Sequence, residues 1–238
     1  MRITVVGMGK IGLPLAVQFA RKGHSVFGAD INAITVELIN AGCEPFPNEA
    51  HLAEYLPIEV AAGRLTATTD TSAAVRESDA VVVVVPLFVD DNAKPDFRAM
   101  DAASRNIAHG LRPGTLVSYE TTLPVGTTRN RLVPLLEAGS GLVASRDFFV
   151  VFSPERVLTG RVFADLRRYP KLVGGIDTLS EEHGIAFYQD VLDFDKRADL
   201  PRANGVWAMG GAEAAEMAKL AETTYRDVNI GLANQFAL

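Results

Sequence analysis

Arg2-Ile3-Thr4-Val5-Val6-Gly7-Met8-Gly9-Lys10-Ile11-Gly12-Leu13-Pro14-Leu15-Ala16 is the stretch on which the fold turns. A short apolar run, Ile3 to Val6, meets the pattern G-x-G-x-x-G, and a helical pattern follows from Ile11 to Lys22. Three glycines between a strand and a helix have separate uses. Gly7 allows a tight turn, Gly9 lets backbone amides approach a pyrophosphate, and Gly12 lets the helix pack closely on its strand. The free amides and positive dipole end of that helix then face the phosphates.

Working outward, Ser25 to Ala29 reads as the second strand and Ala33 to Asn40 as the second helix. Asp30 falls at the end of that second strand, where a carboxylate accepts hydrogen bonds from ribose hydroxyls and disfavours a 2′-phosphate. The expectation is therefore a dinucleotide site for NAD rather than NADP. Its cofactor-binding residues are expected to be Gly7, Gly9, Lys10, Ile11, Gly12, Asp30, Pro86 and Thr122. Two alternatives explain the same residues: a flavin or nucleotide site of another kind, or mere turn glycines with Asp30 as a helix cap.

Further strands are expected at Leu65–Thr68, Ala80–Val85, Thr115–Glu120, Phe148–Phe152 and Lys171–Gly174. Helices are expected at Asp96–His109, Thr127–Glu137 and Leu179–Val191, with a loop and a short helix between Gly42 and Ala62. Ala80 to Val85 is nearly all valine, as suits a central strand buried on both faces. Strands alternating with helices predict an α/β fold, a Rossmann-type doubly wound parallel sheet. Pro201, Gly205, Gly210 and Gly211 mark a linker, and a long helix follows. The expected division is residues 1–200 as the nucleotide-binding domain, 201–211 as linker, and 212–238 as the start of a central helical dimerisation domain. Met217, Leu220, Ala221, Thr224, Val228 and Leu232 form one face of that helix; Lys219, Thr223 and Arg226 form another stripe.

Bulk composition narrows the function classes. The chain has 238 residues, is 48% hydrophobic and 22% charged, and carries a net charge of −6. That apolar content supports a real core. An acidic chain without a long Lys/Arg run is not expected to bind nucleic acid. Its longest apolar run, Ala80 to Val89, is broken by Pro86 and too short to span a bilayer. Met1 and Arg2 lead straight into a strand, so no signal peptide is expected, and a lone Cys43 permits no intrachain disulfide. A cytoplasmic location is the expectation. His24, His51, His109 and His183 are scattered, so no metal site is expected.

Four segments carry a resemblance. Gly12-Leu13-Pro14-Leu15-Ala16 extends the glycine motif. Tyr119-Glu120-Thr121-Thr122-Leu123-Pro124-Val125-Gly126-Thr127-Thr128 is one segment, and Phe152-Ser153-Pro154-Glu155-Arg156-Val157 another. The last is Glu213 to Leu220, followed by Arg226-Asp227-Val228-Asn229. In this order they resemble the UDP-glucose/GDP-mannose dehydrogenases, over nearly the whole chain, and look most like the branch acting on UDP-N-acetylhexosamines. The resemblance implies NAD-dependent oxidation of the C6 alcohol of a UDP-sugar to the uronate, in two steps with two NAD. It also implies a homodimer formed through the C-terminal helix, and a role in polysaccharide precursor supply.

By that resemblance Lys219 holds the alkoxide and later the tetrahedral oxyanion, Glu155 is the base or water-positioner, and Thr122 hydrogen-bonds the attacking water. Arg156 reads equally as a substrate contact or a surface arginine. Each residue also has an ordinary reading: a solvated helix lysine, an ion-paired glutamate and a strand threonine. Thr223 stands where the family has an asparagine, and Thr159 where glucose-specific members have a second glutamate. The family's cysteine nucleophile lies in a second domain, and Cys43 precedes the third strand and is not that residue. Two other readings stay open. Gly210-Gly211 followed by Lys219 also resembles the 3-hydroxyacid dehydrogenases, and an uncapped helix ending at Leu238 fits a non-catalytic NAD-binding module.

Overall fold

In a computed structural model, which describes residues 1–237, β1 (Arg2–Val6) runs into the glycine turn and α1 (Gly12–Arg21) carries the chain back. Then come β2 (Ser25–Ala29), α2 (Ala33–Asn40), α3 (Leu52–Ala61), β3 (Leu65–Thr68), α4 (Thr71–Arg76) and β4 (Ala80–Val83). A small hairpin, β5 (Phe88–Val89) with β6 (Pro95–Asp96), precedes α5 (Arg98–Gly110) and β7 (Leu116–Tyr119). A π-helical turn (Thr128–Leu132) leads into α6 (Val133–Ser140), and β8 (Phe149–Phe152), α7 (Val162–Arg168), β9 (Lys171–Gly175) and α8 (Thr178–Val191) follow. The described chain ends with β10 (Val206–Ala208) and α9 (Ala212–Phe236). Leu238, the last residue of the expected helix, lies outside the described residues.

Eight strands form one sheet in the order β10-β9-β8-β7-β4-β1-β2-β3. The first six in sequence from the main sheet pair in parallel, as expected of a Rossmann-type fold. The order reverses between β1 and β4, which opens the crevice where such sheets bind ligands. All four residues of β4 are buried, because helices cover both faces. One apolar layer gathers Leu13, Val17 and Phe19 of α1 with Phe187 and Tyr188 of α8. The other gathers Ile107 of α5 and Leu136 of α6 over Val81 and Val83.

Four features depart from the sequence-based expectation. β9 pairs antiparallel with β8, so the sheet is mostly rather than wholly parallel. The expected linker over 201–211 contains β10, which pairs parallel to β9 and extends the sheet. Two short helices, α4 and α7, occupy crossovers in which no helix was expected. The helix expected over Thr127–Glu137 is a π turn plus α6, running on to Ser140. Asp70 starts α4 by accepting from the Ala73 amide at 2.9 Å, a cap legible only once the strand before it is placed.

The glycine turn is sterically determined. Gly7 has φ of +93°, and a Cβ there would press on the Val84 backbone of β4's exit. A Cβ at Gly12 would overlap the Gly7 carbonyl oxygen, because α1 starts against β1. Gly12→Ala is therefore expected to destabilise the protein by about 1–3 kcal/mol, the usual range for overpacking. Denaturant unfolding checks this; an unchanged midpoint would refute the close-packing argument.

Candidate active site

At the carboxyl edge of the sheet, the β1 turn, the β2 exit and the β4 exit enclose a pocket of about 400 Å³. Its walls include Gly7, Gly9, Asp30, Ile31, Pro86 and Ala103. Gly9 faces open space, where a Cβ would meet nothing within 4 Å. Among the described residues no side chain caps the N-terminus of α1; the Leu13 amide donates to the Gly9 carbonyl at 3.1 Å, and the Gly12 amide before it remains open to an anion. Asp30 accepts from the Met8 amide at 2.7 Å and the Asn32 amide at 2.9 Å, which pins the glycine turn to the end of β2. Each carboxylate oxygen has further lone pairs, so this does not prevent Asp30 from also accepting from a ribose. Lys10 is exposed and Ile11 half-buried, both at the start of α1. An apolar pocket edged by one carboxylate and one helix N-terminus fits a dinucleotide.

A second group of residues sits along the same edge, at the exits of β7 and β8. The Glu155 amide donates to the Glu120 carbonyl at 3.1 Å, so the Thr122 loop and the Glu155 loop lie side by side. Thr122 is exposed. Thr121 donates to the Val85 carbonyl at 2.7 Å, tying this loop to the cofactor pocket. From α9, Lys219 Nζ donates to the Glu155 carbonyl oxygen at 2.6 Å. Burial lowers the pKa of Lys219 below that of an ordinary lysine, partly offset by Glu222 and Glu155.

Two of the four expected catalytic residues, Glu155 and Lys219, thus meet from distant parts of the chain, and Thr122 lies two residues beyond Glu120, whose carbonyl accepts from the Glu155 amide. Thr223 stands apart in its bonding: its hydroxyl donates to the Lys219 carbonyl within α9 at 2.8 Å, an i to i−4 contact. Arg156 makes a two-pronged ion pair with Glu222, both contacts at 2.8 Å, and so ties the Glu155 loop to α9. Cys43 is exposed just after α2, whose last residue, Asn40, is hydrogen-bonded to the Ala67 backbone of β3.

Sequence reasoning missed what lies beneath Glu155. Lys171 Nζ reaches Glu120 at 2.8 Å and Glu155 at 3.1 Å, and the three side chains are 5%, 0% and 11% exposed. Tyr188 donates to the other Glu120 oxygen at 2.6 Å, and its hydroxyl also meets Ser118 at 2.6 Å. Burial drives Glu120 up to about 7, with Lys171 opposing and Glu155 adding to the rise. Burial acts the same way on Glu155, but Lys171 and the hydrogen bonds it accepts hold it below the ordinary carboxylate value. The signal was the Glu120 that precedes the two threonines, read then only as part of a motif.

Glu216, also missed, anchors α9. It is fully buried and accepts from the Gly126 amide at 2.5 Å, the Thr128 amide at 2.9 Å and the Thr128 hydroxyl at 2.7 Å. A carboxylate at the start of a helical turn also meets its positive dipole end. The expected apolar face of α9 is largely open, with Met217, Val228 and Leu232 exposed. The face packed on the sheet is instead Ala212, Ala215 and Glu216.

A mostly parallel sheet of this topology, with a pocket at the exit of β1 where the strand order reverses, defines a nucleotide-binding domain of the Rossmann class. The chain belongs to the UDP-glucose/GDP-mannose dehydrogenase family: residues 1–192 match the model of that family's NAD-binding domain. The cofactor is NAD. The UDP-N-acetyl-D-mannosamine dehydrogenase of Pyrococcus horikoshii is 36% identical over 240 residues, covering 100% of this chain and 53% of the relative. A solved structure of the Pyrococcus horikoshii enzyme superposes with a TM-score of 0.89 at 34% identity, covering 100% of this chain and 53% of that one. A ternary complex of GDP-mannose dehydrogenase from Pseudomonas aeruginosa gives 0.88 at 28% identity, over 98% of this chain and 52% of that one. The chain spans about half the length of the relatives it matches. Among the described residues, no helix is long and apolar enough to cross a membrane.

Glu216→Ala leaves three donors without their acceptor. It is expected to cost about 3–5 kcal/mol, as for removing one side of a buried charged contact. The amides of Gly126 and Thr128 should then lose their hydrogen-exchange protection. Retained protection at both amides would show that Glu216 does not hold α9 in place.

Proposed function

We propose that this chain supplies the NAD-binding half of a nucleotide-sugar 6-dehydrogenase that oxidises a UDP-N-acetylhexosamine to its uronate. The observation that carries this reading is the meeting of Lys219 with Glu155 beside the Thr122 loop, at the same sheet edge as the cofactor pocket. NAD, when bound, accepts hydride from the sugar carbon.

The chain's own residues prepare that transfer. Asp30 and the α1 N-terminus hold the adenosine ribose and pyrophosphate; Gly7, Gly9, Lys10, Ile11, Gly12 and Pro86 shape the path between them. The Lys219 ammonium stabilises the alkoxide and then the tetrahedral oxyanion, which develop charge as the carbonyl carbon changes geometry. Glu155, held ionised, removes a proton from the attacking water, and the exposed hydroxyl of Thr122 orients that water. Thr223 lends a hydroxyl to the oxyanion when it releases the Lys219 carbonyl.

Nucleophilic thiol chemistry belongs, in this reading, to sequence other than the present chain, since its one cysteine, the exposed Cys43, precedes β3 and is not the family's nucleophile. Residues 212–238 begin a central helical domain, and a homodimer forms over the exposed face of α9. A cytoplasmic location accords with the small soluble cofactor and substrate.

Two experiments bear on this. Asp30→Ala is expected to weaken NAD binding to the chain by about 10- to 100-fold. Hydrogen bonds to a charged group are worth about 1.5–3 kcal/mol, and each 1.4 kcal/mol is tenfold. Calorimetric titration reads the loss, which should be smaller for NADP; equal affinity in wild type and variant would remove Asp30 from the site. In the full-length enzyme, UDP-N-acetylhexosamine and NAD should give NADH and uronate, and Lys219→Ala should lower kcat by about 10²–10³. Turnover of small 3-hydroxyacids without any turnover of UDP-sugars would sink the proposal.

A further inference from the structure

Glu120, Lys171 and Tyr188 have no part in the chemistry described so far, yet each is buried under Glu155. Their charges do not balance. With both carboxylates ionised against one ammonium, the set carries one net negative charge in a nearly dry pocket. One added proton makes it neutral, and low dielectric favours the neutral set.

The geometry shows where that proton rests. Lys171 contacts both carboxylates and lies over the Tyr188 ring at 4.8 Å, so its ammonium is held from three sides. Glu155 also accepts from the Arg156 amide at 2.6 Å, a contact that suits the ionised form. Among the described residues Glu120 accepts from Lys171 and the Tyr188 phenol and from no backbone amide. The two carboxyls are brought side by side by the one ammonium they share, Glu120 at 2.8 Å and Glu155 at 3.1 Å from Lys171 Nζ. The titratable and polar groups facing them are Lys171 of β9, Tyr188 of α8, Ser118 of β7 and Ser153 just after β8 through Tyr188, with Lys219 of α9 on the Glu155 carbonyl.

We propose that Glu120, Glu155 and Lys171 together hold one exchangeable proton, with Glu120 the buried store to which Glu155 hands the proton it removes at the site. This rests on the reading of Glu155 as the base. The water O–H bond breaks, and its proton bonds to the Glu155 carboxylate. That proton then passes to the Glu120 carboxylate, leaving Glu155 ionised again. Lys171 keeps its charge throughout and acts as a positioning residue. The burial that lifts Glu120 to about 7 puts the store near half-filled at neutral pH.

The test is carboxyl-carbon NMR of the glutamate-labelled chain, titrated between about pH 5 and 9, a range that brackets a carboxyl raised to neutrality. One carboxyl signal is expected to titrate near neutral pH, to vanish in Glu120→Gln, and to remain in Lys171→Arg. Two carboxyls ionised over the whole range, or a neutral titration that survives Glu120→Gln, would overturn the store. In the full-length enzyme, Glu120→Gln should abolish the neutral-pH acid limb of kcat and lower its plateau by up to about 100-fold, with KM unchanged. A merely structural role would lower kcat equally at every pH, and that result also overturns the proposal. Turnover surviving Glu155→Gln overturns the base reading and the relay with it, whereas an absent titration overturns the relay alone.

Discussion

A lysine ammonium buried without partners would cost several kcal/mol, and Lys171 avoids that cost only because two carboxylates meet it. That requirement reaches across the sheet. Lys171 opens β9, Glu120 leaves β7, Glu155 follows β8, and Tyr188 comes down from α8. Each of these four elements must be in place before the ion set is satisfied. The exits of β7 and β8 are thereby fixed at the spot where Thr122 and Glu155 face the cleft. Chains of buried polar contacts of this kind specify one arrangement, since a partly satisfied set is worse than none.

The reversal of β9 is what delivers the lysine. In a wholly parallel sheet the first residue of each strand lies at the edge remote from the ligand crevice. β9 runs antiparallel to β8, with Phe152 opposite Gly174, so its first residue extends past the end of β8 on the crevice side. No local pattern in Lys171-Leu172-Val173-Gly174 announces that direction, because alternation and β-branching are the same for either sense of pairing. Lys171 was therefore legible as the start of a strand but not as a member of the site. β10 escaped for a related reason. Val206-Trp207-Ala208 is short and sits among Pro and Gly, and it counts as a strand only because β9 offers an open edge.

The motif-borne residues fared differently. The glycine turn was readable because its geometry is forced locally: Gly7 needs a positive φ, and Gly12 has no room for a Cβ. Glu155 and Lys219 were found through family resemblance, and their meeting across 64 residues is a tertiary fact that no spacing rule contains. Thr223 shows the limit of carrying a role by position. Its hydroxyl lies one helical turn from Lys219 but is occupied by the Lys219 carbonyl, a bond that an asparagine side chain of different reach has no need to make. Glu216 was invisible for the opposite reason: it looks like any helix glutamate until the loop after β7 presents its amides.

α9 joins these two kinds of contact. Its first turns are held by polar groups, Glu216 on the Gly126–Thr128 amides, Glu213 on Arg129 and Glu222 on Arg156, while its later turns present apolar side chains outward. Such a helix takes its position from the nucleotide-binding sheet, yet leaves its apolar side chains exposed. Lys219 lies within the polar part. Its ammonium is therefore placed by the same contacts that place the helix. The Thr121 bond to the Val85 carbonyl extends that link to the wall of the cofactor pocket. The spacing between the pocket wall and the Glu155 loop is thus set by side chains whose partners are largely backbone groups, the Val85 and Glu155 carbonyls and the Gly126 and Thr128 amides.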